Sequence, residues 1–226
     1  MTTMPMTTSE YPGVHVEIGV LARVAQLGVG KRRLAEGIGD AAALSAYRHL
    51  VRRCASCVAG AGMPVHVFLD PVIGDQAVWD VAEPTYWLQA AGDLGDRIRA
   101  AAKQVLARSA SATQAASPGA QEGEQPSGAL ILGTDCPTLT PELLREAAAA
   151  LVTHDAVLGP TLDGGYYLIG LRRWDDRLVE QIAWSTEAVA EQTRAALREL
   201  GWSWYELPAL RDIDEADDWR AYRAGV

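Results

Sequence analysis

The sequence predicts an α/β domain with a mostly parallel sheet covered by helices on both faces. Short apolar, β-branched runs alternate with longer helical-period segments along nearly the whole chain, the pattern of a layered parallel sheet. The 226 residues are 49% apolar and 22% charged, which supports one real core and not a disordered chain.

Val14–Leu21 reads as a first strand, and a glycine-containing loop from Arg23 to Gly30 leads into Lys31-Arg32-Arg33-Leu34. Ala41–Ala59 carries apolar residues at helical spacing without a breaker. Pro64–Leu69 alternates as a second strand, Asp75–Val81 is expected as a short helix and Tyr86–Leu88 as a short strand. A second long helix spans Gly95–Arg108. Thr140 as N-cap and Pro141 in the first turn start a helix that runs to Leu151. Ala156–Leu158 and Tyr167–Gly170 are strands around a glycine-rich turn, Thr186–Leu200 is an amphipathic helix, Trp202–Glu206 a last strand and Asp214–Tyr222 a closing helix. Residues 1–12 are expected to be a disordered tail before a single domain over 13–226. Residues 109–128, rich in Ala, Ser, Gln, Gly and Pro, are expected to be a flexible insertion. It precedes a strand and so should lie away from the strands' carboxyl ends, where ligands of open α/β sheets bind.

The net charge of −9 argues against a nucleic-acid partner, whose phosphates would meet a repelling surface. No run approaches the ~20 apolar residues that span a bilayer, and Met1–Glu10 lacks the basic and apolar parts of a secretory signal. Three cysteines cannot all pair within one chain, so a cytoplasmic location is expected. The sequence leaves the oligomeric state open.

Four segments can carry chemistry. Leu132-Gly133-Thr134-Asp135-Cys136-Pro137 ends an apolar strand, so Asp135 projects where a divalent cation and substrate phosphates can reach it. An aspartate ending a strand in an ordinary turn is the plain alternative. Asp163-Gly164-Gly165-Tyr166-Tyr167 permits close backbone approach, although Asp-Gly also makes common hairpin turns. Arg211-Asp212-Ile213-Asp214 places two carboxylates on one side of an extended segment, suited to sharing a metal with Asp135. Asp214 could equally be the N-cap of the last helix. Gly28-Val29-Gly30-Lys31-Arg32-Arg33 offers amides and charge to phosphate, without the spacing of a P-loop or of a dinucleotide fingerprint. The Cys54-x-x-Cys57 pair lies inside a helix, lacks further ligands and reads as ordinary thiols.

Taken together, GTDCPTLT, VLGPTLDGGYYLIGL, AWSTEAVAEQT, LRDIDEADDW and QAAGDLGDRIRAA resemble the radical-SAM/selenodomain-associated transferases. That family is of glycosyltransferase type and similar to the guanylyltransferases for phospholactate and molybdenum cofactor. The resemblance runs with gaps from Val16 to Trp219. It implies a GT-A, nucleotide-diphospho-sugar transferase-like fold and a magnesium (or manganese) ion held by Asp135 with Asp214, or less readily Asp212. It implies Asp135, Lys31 and Asp163 as the catalytic set. Leu21, Ala22, Arg23, Gly30, Lys31, Arg33, Gln89, Gly92, Asp93, Gly133 and Thr134 would bind the nucleotide and its phosphates. Asp163, Gly164, Gly165, Tyr166, Trp184, Ser185 and Thr186 would form the acceptor pocket. The family's K-T-R-L is Lys31-Arg32-Arg33-Leu34 here, with Arg32 in place of the threonine, and Ala25 stands where a proline is common. The implied activity is transfer from a nucleotide-sugar to a small-molecule acceptor. The alternatives are nucleotidyl transfer from a nucleoside triphosphate to a phosphorylated acceptor, or nucleotide binding without catalysis.

Overall fold

The computed structural model describes residues 14–70, 79, 83–116 and 127–225. The expected tail at 1–12, most of the short helix expected at 75–81 and the middle of the expected insertion at 117–126 lie outside them.

Among the described residues seven strands form one sheet: β1 (His15–Arg23), β2 (Val65–Asp70), β3 (Thr85–Leu88), β4 (Ser127–Leu132), β5 (Ala156–Pro160), β6 (Tyr166–Leu171) and β7 (Trp204–Glu206). Their order is β3-β2-β1-β4-β6-β5-β7. The β1 strand pairs parallel with β2 and β4, and β7 parallel with β5, while β6 runs antiparallel between β4 and β5. The sheet is therefore mostly parallel with one reversed strand. The glycine-rich turn after β5 is short enough to return only as a hairpin, which explains the reversal.

Among the described residues six α-helices accompany the sheet: α1 (Arg32–Ile38), α2 (Asp40–Ala61), α3 (Leu94–Ala116), α4 (Pro141–Ala150), α5 (Val189–Glu199) and α6 (Ala216–Ala224). Alternation along the strands sorts the core into two layers. Ile18, Val20, Ala22, Leu130 and Leu132 pack with Val51 and Val58 of α2 and with Leu144 of α4. Ala129, Ile131 and Ile169 face the other way, against Ile98, Ala102 and Val105 of α3 and Leu197 of α5. These helices thus cover both faces.

Several boundaries differ from the sequence expectation. The helix expected to stop at Arg108 continues to Ala116, and Ser127–Gly128 already belong to β4. Buried Ser109 explains part of this: its Oγ donates to the His15 carbonyl and accepts from the Gly128 amide, joining α3 to the amino-terminal ends of β1 and β4. An alanine- and serine-rich turn that gains such anchors needs no apolar periodicity to stay helical. Short α1 was not expected. It is held by Leu34, buried against Ala43, Ala46 and Trp219. Thr140 caps α4 as expected, its Oγ1 accepting from Leu143 N at 3.3 Å. The last helix is capped by Glu215, not by Asp214. Glu215 and Asp218 form a reciprocal capping box, which leaves the Asp214 carboxylate for other partners.

Candidate active site

The chain runs outward from β1 through β2 to β3 and then crosses back to β4 on the other side of β1. The crevice at the carboxyl ends of β1 and β4 is therefore a topological switch point, where open α/β sheets bind ligands. A cavity of about 1150 Å³ opens there, lined by Leu21–Arg23, Gly30, Lys31, Arg33, Gln89, Gly133–Asp135, Asp163, Gly165, Tyr166, Trp184–Thr186, Asp212 and Asp214, among others. Sequence separations approaching 200 residues collapse into this one volume.

The charged centre is built from the segments that follow β1, β4 and β7. Parallel backbone contacts carry the segment after β7 onward past the end of β5: Leu210 N donates to Pro160 O, Leu162 N to Leu210 O, and Ile213 N to the carbonyl of Asp135 itself at 2.9 Å. The Asp212-Ile213-Asp214 stretch is thereby laid against the end of β4. Lys31 sits at the start of α1 in the left-handed region (φ 47, ψ 41), a conformation a lysine keeps only when its surroundings demand it. Its side chain is 7% exposed. The ammonium lies 3.0 Å from Asp135 Oδ1 and 3.8 Å from Asp214 Oδ1, and it donates to the Ile213 carbonyl. Arg33 Nη2 holds the other oxygen of Asp214 at 2.5 Å. Lys31, Arg33, Asp135 and Asp214 thus form one network around a buried ammonium, with Asp135 46% open to the cavity.

Asp212 makes no ion pair with that network among the described residues, although it lines the same cavity and feels the charges of Lys31 and Asp135. Burial, with the neighbouring Asp163 carboxylate adding to it, raises its pKa to about 6. Asp163 is fixed by its own hairpin, its Oδ1 accepting from Thr161 Oγ1 at 2.5 Å and from Gly165 N at 3.1 Å. Tyr166 and Tyr167 point to opposite faces. Tyr167 joins the α2 side and donates to Pro208 O, while Tyr166 lies edge-to-face with Trp184, its hydroxyl buried without a partner.

Several expected contacts are placed otherwise. Gly92 and Asp93 lie off the cavity wall. Asp93 and Asp96 cap α3 reciprocally, carboxylate to amide at 2.9 and 3.3 Å. Gly164 also lies off the wall and has a structural task. At φ +89 its carbonyl accepts from Ala190 N at 2.8 Å, satisfying a first-turn amide of α5 that no side chain caps. Gln89 lines the cavity, but its side-chain amide donates to Ala22 O and Phe68 O and accepts from Arg97.

Two contributors escaped the sequence reading. Tyr47 of α2 accepts from Arg23 N and donates to Arg23 O, fixing the end of β1; burial and then the Asp135 charge raise its pKa to about 12. Arg97, in the first turns of α3, lines the cavity and pairs with Asp70 at 3.0 Å. A lone tyrosine or arginine on a helical period carries no local signal of either task. All three cysteines are buried, and burial holds each thiol above its usual pKa.

The donor set of this site is compatible with a hard divalent cation. Two carboxylates, Asp135 and Asp214, approach one point of positive charge from different loop segments, and magnesium needs only one or two protein carboxylates when phosphate and water complete its shell. Among the described residues no group of three or more His, Cys, Asp or Glu side chains is arranged to hold an ion unaided. Nor is any helix among them long and apolar enough to cross a membrane.

The fold is that of nucleotide-diphospho-sugar transferases and nucleotidyltransferases. The chain is similar to a candidate nucleotide-diphospho-sugar transferase from Desulfovibrio desulfuricans G20, with 25% identity, 92% of this chain and 85% of that one covered, and a TM-score of 0.74. It shares its fold with Rv0371c from Mycobacterium tuberculosis H37Rv (14% identity, 94% and 99% covered, TM-score 0.57). The same holds for 4-diphosphocytidyl-2C-methyl-D-erythritol synthase from Anaerococcus prevotii DSM 20548 (11% identity, 93% and 97% covered, TM-score 0.52). No curated protein matches the chain. The model of a family described as uncharacterized protein conserved in bacteria matches residues 53–186, more than half of the sequence, and the chain therefore belongs to that family, DUF2064.

Proposed function

We propose that the protein is a metal-dependent transferase that takes a nucleotide-sugar as donor and passes the sugar to a small-molecule acceptor. The observation that carries this reading is the Lys31–Asp135–Asp214–Arg33 network at the switch-point crevice. The likeness to the Desulfovibrio protein favours a diphospho-sugar donor. The resemblance to radical-SAM/selenodomain-associated transferases points the same way.

In glycosyl transfer the leaving group is a nucleoside diphosphate, so negative charge grows on the phosphate oxygens as the bond to the sugar breaks. Lys31 and Arg33 would meet that charge. Their ammonium and guanidinium are already oriented by carboxylates, so little reorganisation is needed at the moment of reaction. Magnesium held by Asp135 and Asp214 would supply further charge neutralisation on the diphosphate. Asp163, rigid in its hairpin, faces the acceptor side together with Tyr166 and the Trp184–Thr186 segment, where alignment of the acceptor hydroxyl contributes to rate.

Nucleotidyl transfer is the second reading, favoured by Arg23, Lys31 and Arg33 all lining one cavity in a manner suited to a triphosphate. Product analysis separates them. The protein is incubated with magnesium, nucleotide-sugars or nucleoside triphosphates, and a panel of hydroxylated and phosphorylated acceptors. Release of nucleoside diphosphate supports the first reading. Pyrophosphate release replaces it with the second, and the absence of ligand-induced thermal stabilisation by any nucleotide would remove both.

A further inference from the structure

On the β2–β3 side of the crevice, away from the Lys31 network in the topology, a second polar constellation lines the cavity. Gln89 follows β3 and spends both amide hydrogens internally, on Ala22 O at 2.8 Å and Phe68 O at 3.0 Å, tying the ends of β1 and β2. Its remaining oxygen accepts from Arg97 Nη1 at 3.3 Å, and that same nitrogen donates to Asp70 Oδ2 at 3.0 Å. Gln89 therefore has no amide hydrogen left for a ligand. Its effect is to aim Arg97. The guanidinium is held at Nη1 by two acceptors, its Nε is buried without a partner, and its Nη2 has no partner among the described residues.

The chemistry of the place selects what Nη2 would meet. Asp70 cancels the arginine's charge and would repel a phosphate, which is better served by Lys31 and Arg33. A neutral carbonyl acceptor suffers no such repulsion. The neighbouring wall is apolar, formed by Leu21, Leu94 and Ile98, a surface suited to a flat ring. We propose that Arg97 reads the nucleobase of the donor by donating to a ring carbonyl, so that guanine, uracil or cytosine nucleotides are preferred over adenine. Adenine carries an amino donor at the position where guanine carries its carbonyl. Gln89 is a positioning residue for this contact. The inference rests on the nucleotide reading of the cavity and adds to it the class of base.

Binding of GDP, UDP, CDP and ADP is measured by calorimetry with magnesium present, in the wild type, Arg97→Gln and Lys31→Met. The best oxo-base diphosphate is expected to bind the wild type about tenfold or more tighter than ADP, the scale of one hydrogen bond from a charged donor. Arg97→Gln brings that ratio to about unity, whereas Lys31→Met weakens all four and leaves the ratio standing. If Arg97→Gln does not fold, Arg97→Lys keeps a cation beside Asp70 without the Nη2 arm, and its ratio must also collapse. Equal binding of ADP by the wild type, or a base preference that survives in the Arg97 variants, overturns the assignment while leaving the nucleotide reading intact. Binding of no nucleotide at all would overturn both.

Discussion

Replacing Lys31 by methionine tests the electrostatic logic of the site, because it should move two affinities in opposite directions. The side chain is 7% exposed and its stem is packed, so methionine keeps the volume and removes only the charge. The ammonium lies 3.0 Å from Asp135 and 3.8 Å from Asp214, close to where an ion shared by those carboxylates would feel it. Two unit charges about 4 Å apart interact by about 4 kcal/mol at an effective dielectric of about 20 and about 1 kcal/mol in water. The carboxylates are 46% and 30% exposed, which places the effect toward the lower figure, about 1.5 kcal/mol or somewhat more against a divalent ion. Magnesium without nucleotide should therefore bind the variant about tenfold tighter. Nucleoside diphosphate with saturating magnesium should bind about tenfold weaker, since a charge-assisted phosphate contact is gone. Titration calorimetry with magnesium alone and then with nucleotide measures both. If the folded variant shows unchanged or weaker magnesium binding, Lys31 and the cation do not share the Asp135–Asp214 field.

Three further outcomes follow from the structure. Gly164→Ala should cost about 2 kcal/mol or more in urea denaturation, because at φ +89 an added Cβ would stand 2.1 Å from the Glu187 carbonyl; a loss under about 0.5 kcal/mol would contradict this. Burial, and next the charge of Asp163, raise Asp212 from 3.8 to about 6. The folded state thus binds that proton more tightly than the unfolded chain, and stability is lost as pH climbs through this window. Asp212→Asn should accordingly stabilise the metal-free protein by about 1–2 kcal/mol at pH 8 and by almost nothing at pH 3, read from denaturation at both values; equal effects would refute the shift. Burial pushes Glu17 up, but hydrogen bonding to His15 and His66, at 3.0 and 2.5 Å, prevails and brings it from 4.5 down to about 2. Its contribution is present above pH 4.5 and fades toward pH 2, so the wild type should lose about 2–3 kcal/mol across that range that Glu17→Gln does not lose.

Much of this was legible in the sequence because it is local. The apolar runs, the Thr140-Pro141 start and the strand-ending Gly133-Thr134-Asp135 each carry their signal within a few residues, and all appear where expected. The placement of Asp135 at a sheet edge follows from strand polarity alone. What stayed hidden depends on distant partners. Helix α1 exists because Leu34 finds Ala43 and Trp219, and α3 extends because Ser109 finds His15 and Gly128. One partner of Lys31 is the carbonyl of Ile213, 182 residues away, and no short window along the chain contains both. Asp212 and Asp214 illustrate the same limit. Their i, i+2 spacing implies one side of an extended segment and both line the cavity, but only the register of the Leu210–Ile213 segment against β5 and Asp135 decides which pairs with Lys31 and which neighbours Asp163.

Asp135→Asn removes one negative charge from the network while nearly keeping the side chain's shape. Calorimetric titration of nucleoside diphosphate, with and without magnesium, should show a magnesium-dependent gain in affinity for the wild type and none for the folded variant. An undiminished magnesium-dependent gain in Asp135→Asn would mean that the Asp135 carboxylate does not hold the cation that assists nucleotide binding.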